Sequence, residues 1–208
     1  IHFIEPKFND WATIVYSSGT TGQPKGVMQA HQNYVMTGIA FPWWFGLNEN
    51  DRLYSCLSLA HINTQAYTIM GAMATGATVI LGSKFEHGKD FWKKICNTGA
   101  TEINMLGGML RDLYNQPPSP EEKMHSVKVI ANGQAMPDAD LHQKMEERFS
   151  GKEPLQILTS YGSSENLFGF VMPKDKPKRG GNYVGKQKLH PDVPPEQFQA
   201  EIRDGKLW

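Results

Sequence analysis

Between Tyr16 and Gly26 the chain reads Tyr-Ser-Ser-Gly-Thr-Thr-Gly-Gln-Pro-Lys-Gly. Gly19, Gly22 and Gly26 let backbone N–H groups approach a ligand closely, Ser17, Ser18, Thr20 and Thr21 supply hydroxyls, and Lys25 supplies a mobile positive charge. A phosphate group uses all of these at once. A Gly/Ser/Thr-rich hairpin connection that binds nothing is the plainer alternative, but four hydroxyls, three glycines and a lysine within ten residues favour the anion. The Walker arrangement needs a Gly-Lys pair followed by Ser or Thr opening a helix; here Lys25 sits between Pro24 and Gly26 and leads into an apolar run, which argues against a P-loop ATPase.

A second constellation lies far along the chain. The apolar run Leu155-Gln156-Ile157-Leu158 delivers Thr159-Ser160-Tyr161-Gly162-Ser163-Ser164-Glu165. An aromatic, a glycine, hydroxyls and a carboxylate at one strand end are a set able to stack on a base, touch a phosphate and hold a cation, with Tyr161, Ser164 and Glu165 in those roles. Glu165 could equally cap the next segment or pair with a lysine. Two more turns follow predicted strands: Leu57–Asn63, which contains His61, and 132–137, where Gly133 and Gln134 leave bare backbone beside room for a flat ring. A histidine is usually an ordinary surface or core residue, but ligands of open α/β sheets bind at the carboxyl ends of strands, which makes His61 a candidate for gating and positioning rather than proton transfer.

The elements that must carry these turns can be read from periodicity and punctuation. Strands are expected at 11–15 and 27–31 flanking the first loop, then at 51–57, 77–81, 101–105, 127–131, 155–161 and 168–172. Helices are expected from an Asn33 N-cap to 41 with Pro42 as the stop, over 62–75 ending near Gly76, over 84–94, and over 138–149. Residues 117–122 read as an exposed loop. Phe41, Trp43, Trp44 and Phe45 admit a ligand-stacking role, with core packing the better reading, and Gly107 and Gly108 serve either to open room for a substrate chain or to let a helix pack closely. The strand–helix alternation predicts an α/β layered fold with a largely parallel sheet flanked by helices.

Lys plus Arg equals Asp plus Glu at 21 each, so no whole-chain charge favours nucleic acid or an anionic membrane. Cys56 and Cys96 lie forty positions apart without a metal-ligand spacing, and the seven histidines form no short pair, which speaks against a structural zinc site. No apolar run approaches the eighteen or so residues of a membrane helix; a cytoplasmic location is the default expectation.

The stretch 16–26 resembles the Ser/Thr/Gly-rich signature of the adenylate-forming superfamily of acyl-CoA synthetases, adenylation domains and luciferases, and 161–165 resembles its Tyr-Gly-x-Thr-Glu motif, with Ser164 where Thr is usual. The segment 57–61 is similar to the family's signature bordering the acyl tunnel, although Ser58 replaces a proline and Ala60 an aromatic, and 132–137 is a looser match to its adenine-side turn. Leu158 to Gly162 and Phe198 to Asp204 resemble most the carnitine/crotonobetaine-type carboxylate–CoA ligases. The resemblance implies ATP, Mg2+ and coenzyme A as cofactors and a carboxylic acid as substrate. Catalytic roles fall on His61, Ser164, Glu165 and Lys25. Nucleotide contacts fall on Ser17, Ser18, Gly19, Thr20, Thr21, Gly22, Lys25, Gly133, Gln134, Tyr161, Gly162 and Ser164, with Glu165 the metal ligand. Family members are more than twice as long, so residues 1–208 are expected to be the central part of the AMP-binding domain, without the ribose-binding aspartate and the small C-terminal domain. The rival reading is a nucleotide-binding module without ligase activity; a carrier-protein thiol in place of coenzyme A is a further alternative.

Overall fold

The computed structural model describes residues 5–17, 23–133, 139–165 and 167, with the backbone alone at 170–171, 202–203 and 206–207. At the centre is a sheet of order β4-β3-β5-β6-β7-β8. Its strands are β3 (Arg52–Ser55), β4 (Thr78–Leu81), β5 (Glu102–Met105), β6 (Val129–Asn132), β7 (Gln156–Tyr161) and β8 (Phe170–Val171). The first five are parallel and β8 is antiparallel to β7. Two antiparallel hairpins stand apart from it, β1 (Trp11–Ser17) with β2 (Lys25–Ala30), and β9 (Ile202–Arg203) with β10 (Lys206–Leu207).

Alternation along the strands sorts side chains to two cores, as period-2 geometry requires. Tyr54, Ile103, Met105, Ile130 and Ile157 meet α3 (Gly88–Thr98), α4 (Gly107–Asn115) and α5 (Ala139–Phe149) on one face. Leu53, Val129, Ala131 and Leu158 meet α1 (His31–Phe45) and α2 (Met70–Thr75) on the other. Burying each of these large apolar side chains contributes on the order of 1.5–3 kcal/mol. Gly38 and Gly71 make the second layer possible: a Cβ on Gly38 would lie 2.8 Å from the Met70 carbonyl oxygen, and one on Gly71 would lie 2.9 Å from the Phe41 ring. Phe41, Trp44 and Phe45 are core residues of that layer, in line with the packing reading of the aromatic cluster.

Several boundaries differ from expectation. Pro42 does not stop α1, which runs through it to a left-handed Gly46 (φ 66°); nine buried residues clamp the helix, and Gly46 and Leu47 N–H both bond the Pro42 carbonyl. Asn33 is not the N-cap, a position held by Ala30; its amide donates instead to Gln29 Oε1 at 2.6 Å. The helix expected over 84–94 instead runs Gly88–Thr98, with His87 in extended conformation before it. The segment 62–75 is a π-helix, Asn63–Ile69, continued by α2. Residues 117–122 are not simply exposed: Pro120–Lys123 forms a 3₁₀ turn and Glu122 is buried, bonded twice by Arg148 at 2.8 and 2.9 Å. The same guanidinium donates to the carbonyls of Tyr114 and Gln116 and so closes the end of α4.

Strand order dictates where a ligand can sit. From β3 the chain crosses to β4 on one side and then returns to β5 on the other, and the helix layers change face at the same step. A crevice therefore opens beyond the carboxyl ends of β3 and β5, between chains that diverge in opposite directions.

Candidate functional site

That crevice holds a cavity of about 240 Å³ lined by His61, Ile62, Asn63, Tyr67, Leu106, Gly133, Ser160, Gly162, Ser163 and Ser164. Each lining segment follows or ends a parallel strand: 61–63 comes after β3, Leu106 after β5, Gly133 after β6, and 160–164 belongs to or follows β7. Gly133 is close to its neighbours, its N–H bonding the Met105 carbonyl at 3.1 Å and a Cβ there meeting Leu106 at 3.2 Å. A Cβ on Gly108, by contrast, would meet nothing within 4 Å, so this glycine is not required for helix packing.

The site's second wall is the β1–β2 hairpin. Ser17 faces Lys25 in the last register pair, with Ser17 half-buried and Lys25 exposed. Further along β2, opposite Thr13, Gln29 is buried, and its amide nitrogen donates to the backbone carbonyl of Ser164 while its oxygen accepts from Asn33. A side chain of the first signature's hairpin thus holds the backbone of the second, 135 positions away. Thr13, Tyr34 and Gln65 form a parallel tie, with Tyr34 Oη 2.7 Å from Thr13 Oγ1 and donating to Gln65 Oε1 at 2.6 Å. Val15, Tyr34, Ile62, Ala66 and Leu167 fill the apolar seam beneath.

The expected residues divide into groups. His61, Gly133, Gly162 and Ser164 line one cavity, with His61 exposed and its Nδ1 accepting from the Asn63 N–H at 3.1 Å. Tyr161 and Glu165 are exposed at its margin, beside Gly162 and Ser164 in the chain. Ser18, Gly19, Thr20, Thr21, Gly22 and Gln134 lie outside the described residues. Sequence reasoning gave no role to Gln29, Asn63 and Tyr67, whose partners lie far away in the chain. Tyr67 donates to the Leu167 carbonyl at 2.7 Å, and burial pushes its phenol well above the ordinary value, so it stays protonated.

The floor of the cavity is a buried polar network. Asn104 of β5 donates to Asn63 Oδ1 and, at 3.0 Å, to Thr68 Oγ1; Ser55 and Thr64 hydroxyls lie 3.4 Å apart. The π-helix makes this possible, because its wider turn brings Asn63, Thr64 and Thr68 together onto the sheet, a distortion common at functional sites. Among the described residues no group of three or more His, Cys, Asp or Glu side chains could hold a metal. A lone carboxylate such as Glu165 nevertheless suits magnesium, which is held by one or two carboxylates together with phosphate oxygens. Among the described residues no helix is long and apolar enough to cross a membrane.

A three-layer α/β domain with a hydroxyl-rich crevice at its switch point defines a class of nucleotide- and acid-binding folds. Comparison with known proteins identifies the member: the AMP-binding enzyme family matches residues 3–194, and the chain belongs to it. Crotonobetaine/carnitine–CoA ligase of Proteus mirabilis is 32% identical over 98% of this chain, and the corresponding ligase of Citrobacter koseri is 30% identical over 94%. The chain spans 37% and 35% of those relatives' lengths. Among solved structures, O-succinylbenzoate coenzyme A synthetase from Bacillus subtilis in complex with AMP matches 98% of this chain and 39% of its own with a TM-score of 0.72 at 24% identity. A benzoate CoA ligase from Burkholderia xenovorans matches 87% and 35%, with a TM-score of 0.70 at 19% identity. At these identities the structural likeness speaks for the fold.

Proposed function

We propose that this chain supplies the nucleotide- and acid-binding crevice of an enzyme that joins a carboxylic acid to a thiol at the expense of ATP. The carboxylate oxygen attacks the α-phosphorus and the α–β bridging oxygen leaves with pyrophosphate; a thiol, that of coenzyme A, then attacks the acyl carbon and AMP leaves. The observation that carries this reading is the Gln29 bond to the Ser164 carbonyl, which ties the hairpin flanking the first signature to the backbone of the second, whose Gly162 and Ser164 line the cavity.

In this reading Thr20, Thr21 and Lys25 hold the β- and γ-phosphates. The Ser164 hydroxyl, which is not the atom Gln29 uses, meets the α-phosphate. Tyr161 stacks on the adenine with Gly133 and Gln134 along its edge, and His61 stands at the entrance for the acid. Glu165 holds magnesium, which when bound with the triphosphate supplies neutralising charge. The first step asks for in-line placement and stabilised charge rather than an acid or base, which suits a crevice whose described lining has hydroxyls and amides, no carboxylate or ammonium, and His61 as its one imidazole.

Lys25→Ala tests the reading. Because Lys25 is aimed at the leaving pyrophosphate, the variant should weaken ATP about tenfold and leave AMP affinity within twofold, as measured by calorimetry. Equal losses for both nucleotides would make Lys25 structural, and failure of the unmodified chain to bind either would remove the proposal. The relatives' names favour a CoA ligase over a binding module without ligase activity.

A further inference from the structure

The backbone around Glu165 is held from two sides by residues that follow other strands. On the near side Gln29 of β2 donates to the Ser164 carbonyl, which fixes the peptide plane leading into Glu165. On the far side Tyr67 of the π-helix donates to the Leu167 carbonyl at 2.7 Å. The Leu167 side chain is 3% exposed and packs in the seam with Val15, Tyr34, Ile62 and Ala66, so the same residue is anchored by its backbone and by its side chain. Glu165 lies between the two anchors and is itself exposed, so packing of its own side chain does little to place it. Tyr67 suits the task. Its ring lies 5.4 Å from that of Phe41 and forms part of the crevice wall, and its phenol stays protonated and so remains a donor. A phenol has one proton to donate, and here it goes to the Leu167 carbonyl.

We propose that Tyr67 is a positioning residue for the magnesium ligand: by holding the Leu167 carbonyl it fixes the backbone that carries Glu165 at the margin of the crevice. This rests on the reading of Glu165 given above and adds a residue to it. Magnesium demands near-octahedral geometry and takes only one or two carboxylates, so a carboxylate that serves it must be held in place. A segment anchored at Ser164 alone would have to be ordered when the cation binds, and the cost of that ordering is subtracted from affinity.

The test is calorimetry of ATP binding to the 208-residue chain over a magnesium series, with AMP in the absence of magnesium as reference. Tyr67→Phe keeps the ring and removes only the hydroxyl. The magnesium concentration that gives half the effect on ATP affinity should rise about tenfold, with AMP affinity within twofold of the parent. Leu167→Ala loosens the same anchor through its side chain and should shift the magnesium requirement in the same direction. Ser150→Ala removes a hydroxyl that ties Glu146 to Leu155 at the amino end of the sheet, and should lower the thermal midpoint without moving the magnesium requirement. In a Glu165→Gln background, Tyr67→Phe should have no further effect on magnesium dependence, because its influence passes through that carboxylate. A folded Tyr67→Phe protein with an unchanged magnesium requirement, while Glu165→Gln abolishes the dependence, overturns this inference alone. A loss of AMP affinity in Tyr67→Phe makes the hydroxyl a nucleotide contact and overturns it as well. Unchanged magnesium dependence in Glu165→Gln overturns both the reading of Glu165 and the inference built on it.

Discussion

The two ends of the parallel sheet are built from opposite materials. At the carboxyl end the described cavity is lined by hydroxyls, amides and glycine backbone, with Lys25 and Glu165 exposed at the margin. At the amino end, charges are buried. Burial alone would raise the Asp51 carboxyl, but hydrogen bonds from Lys128, Thr101 and the Asn48 N–H more than reverse this and hold it below the ordinary value. Glu102 is fully buried with neither oxygen partnered among the described residues, and burial beside the Asp51 charge pushes its carboxyl well above the usual range. A strongly shifted carboxylate usually invites a catalytic reading. Here the shifted groups stand at the end of the sheet away from the crevice, where strands begin, so their shifts are a consequence of packing. The working end instead buries only neutral polar groups at its floor, Asn63, Thr64, Thr68 and Asn104, and leaves Lys25 and Glu165 exposed at its margin.

Four perturbations test that division. The largest effect is expected from Arg148→Ala at the structural pole, which strands the buried Glu122 carboxylate and opens the α4 end. It should cost about 3–5 kcal/mol and lower the thermal midpoint by about 10 °C. Nucleotide affinity of the folded protein should be unchanged; a tenfold loss of AMP affinity would break the separation of the two ends.

Next is acid sensitivity. Burial drives the His125 imidazole, stacked 4.7 Å from the Trp92 ring, from 6.5 down to about 4. As the pH falls from 6.5 toward 4, the unfolded chain takes up a proton that folded His125 refuses, so about 3 kcal/mol of stability is lost across that window. Glu102 works in the opposite sense. Its folded carboxyl keeps a proton that the unfolded chain gives up above about pH 4.3, so its contribution is full in acid and is lost as the pH rises toward its raised folded value. Urea midpoints should show His125→Gln flattening the acid limb, and Glu102→Gln matching the parent at pH 4 but exceeding it at pH 8.

Gln29→Leu probes the wall of the crevice. Leaving the Ser164 carbonyl and Asn33 without their partner should cost about 1–2 kcal/mol. It should also lower AMP affinity several-fold, whereas a purely structural tie would leave affinity of the folded protein untouched. The smallest stability effect is expected from Glu165→Gln, since the side chain is exposed. Its signature lies elsewhere: ATP affinity should lose its dependence on magnesium, and an unchanged magnesium titration would remove Glu165 from the proposed site.

Local chemistry is legible in the order of residues alone. Glycine, hydroxyl and lysine density marks the loop at 16–26, the run ending in Tyr161-Gly162 marks a strand end, and alternating apolar segments yield the parallel α/β sheet with its order of elements along the chain. These features depend on residues a few positions apart, whose backbone preferences and faces are set by neighbours. What local pattern could not reveal were decisions taken across the fold. Proline at 42 reads as a stop, yet α1 passes it because burial against α2 outweighs one missing hydrogen bond. Gln29 and Asn63 carry no local sign of their roles; only the approach of Ser164 to one and Asn104 to the other shows what they hold. The motif around Glu165 marks it as a candidate ligand, but no local pattern reveals that Glu102 is buried and its carboxyl shifted, because those properties are set by the solvent and charges around it, assembled by segments far apart in the chain.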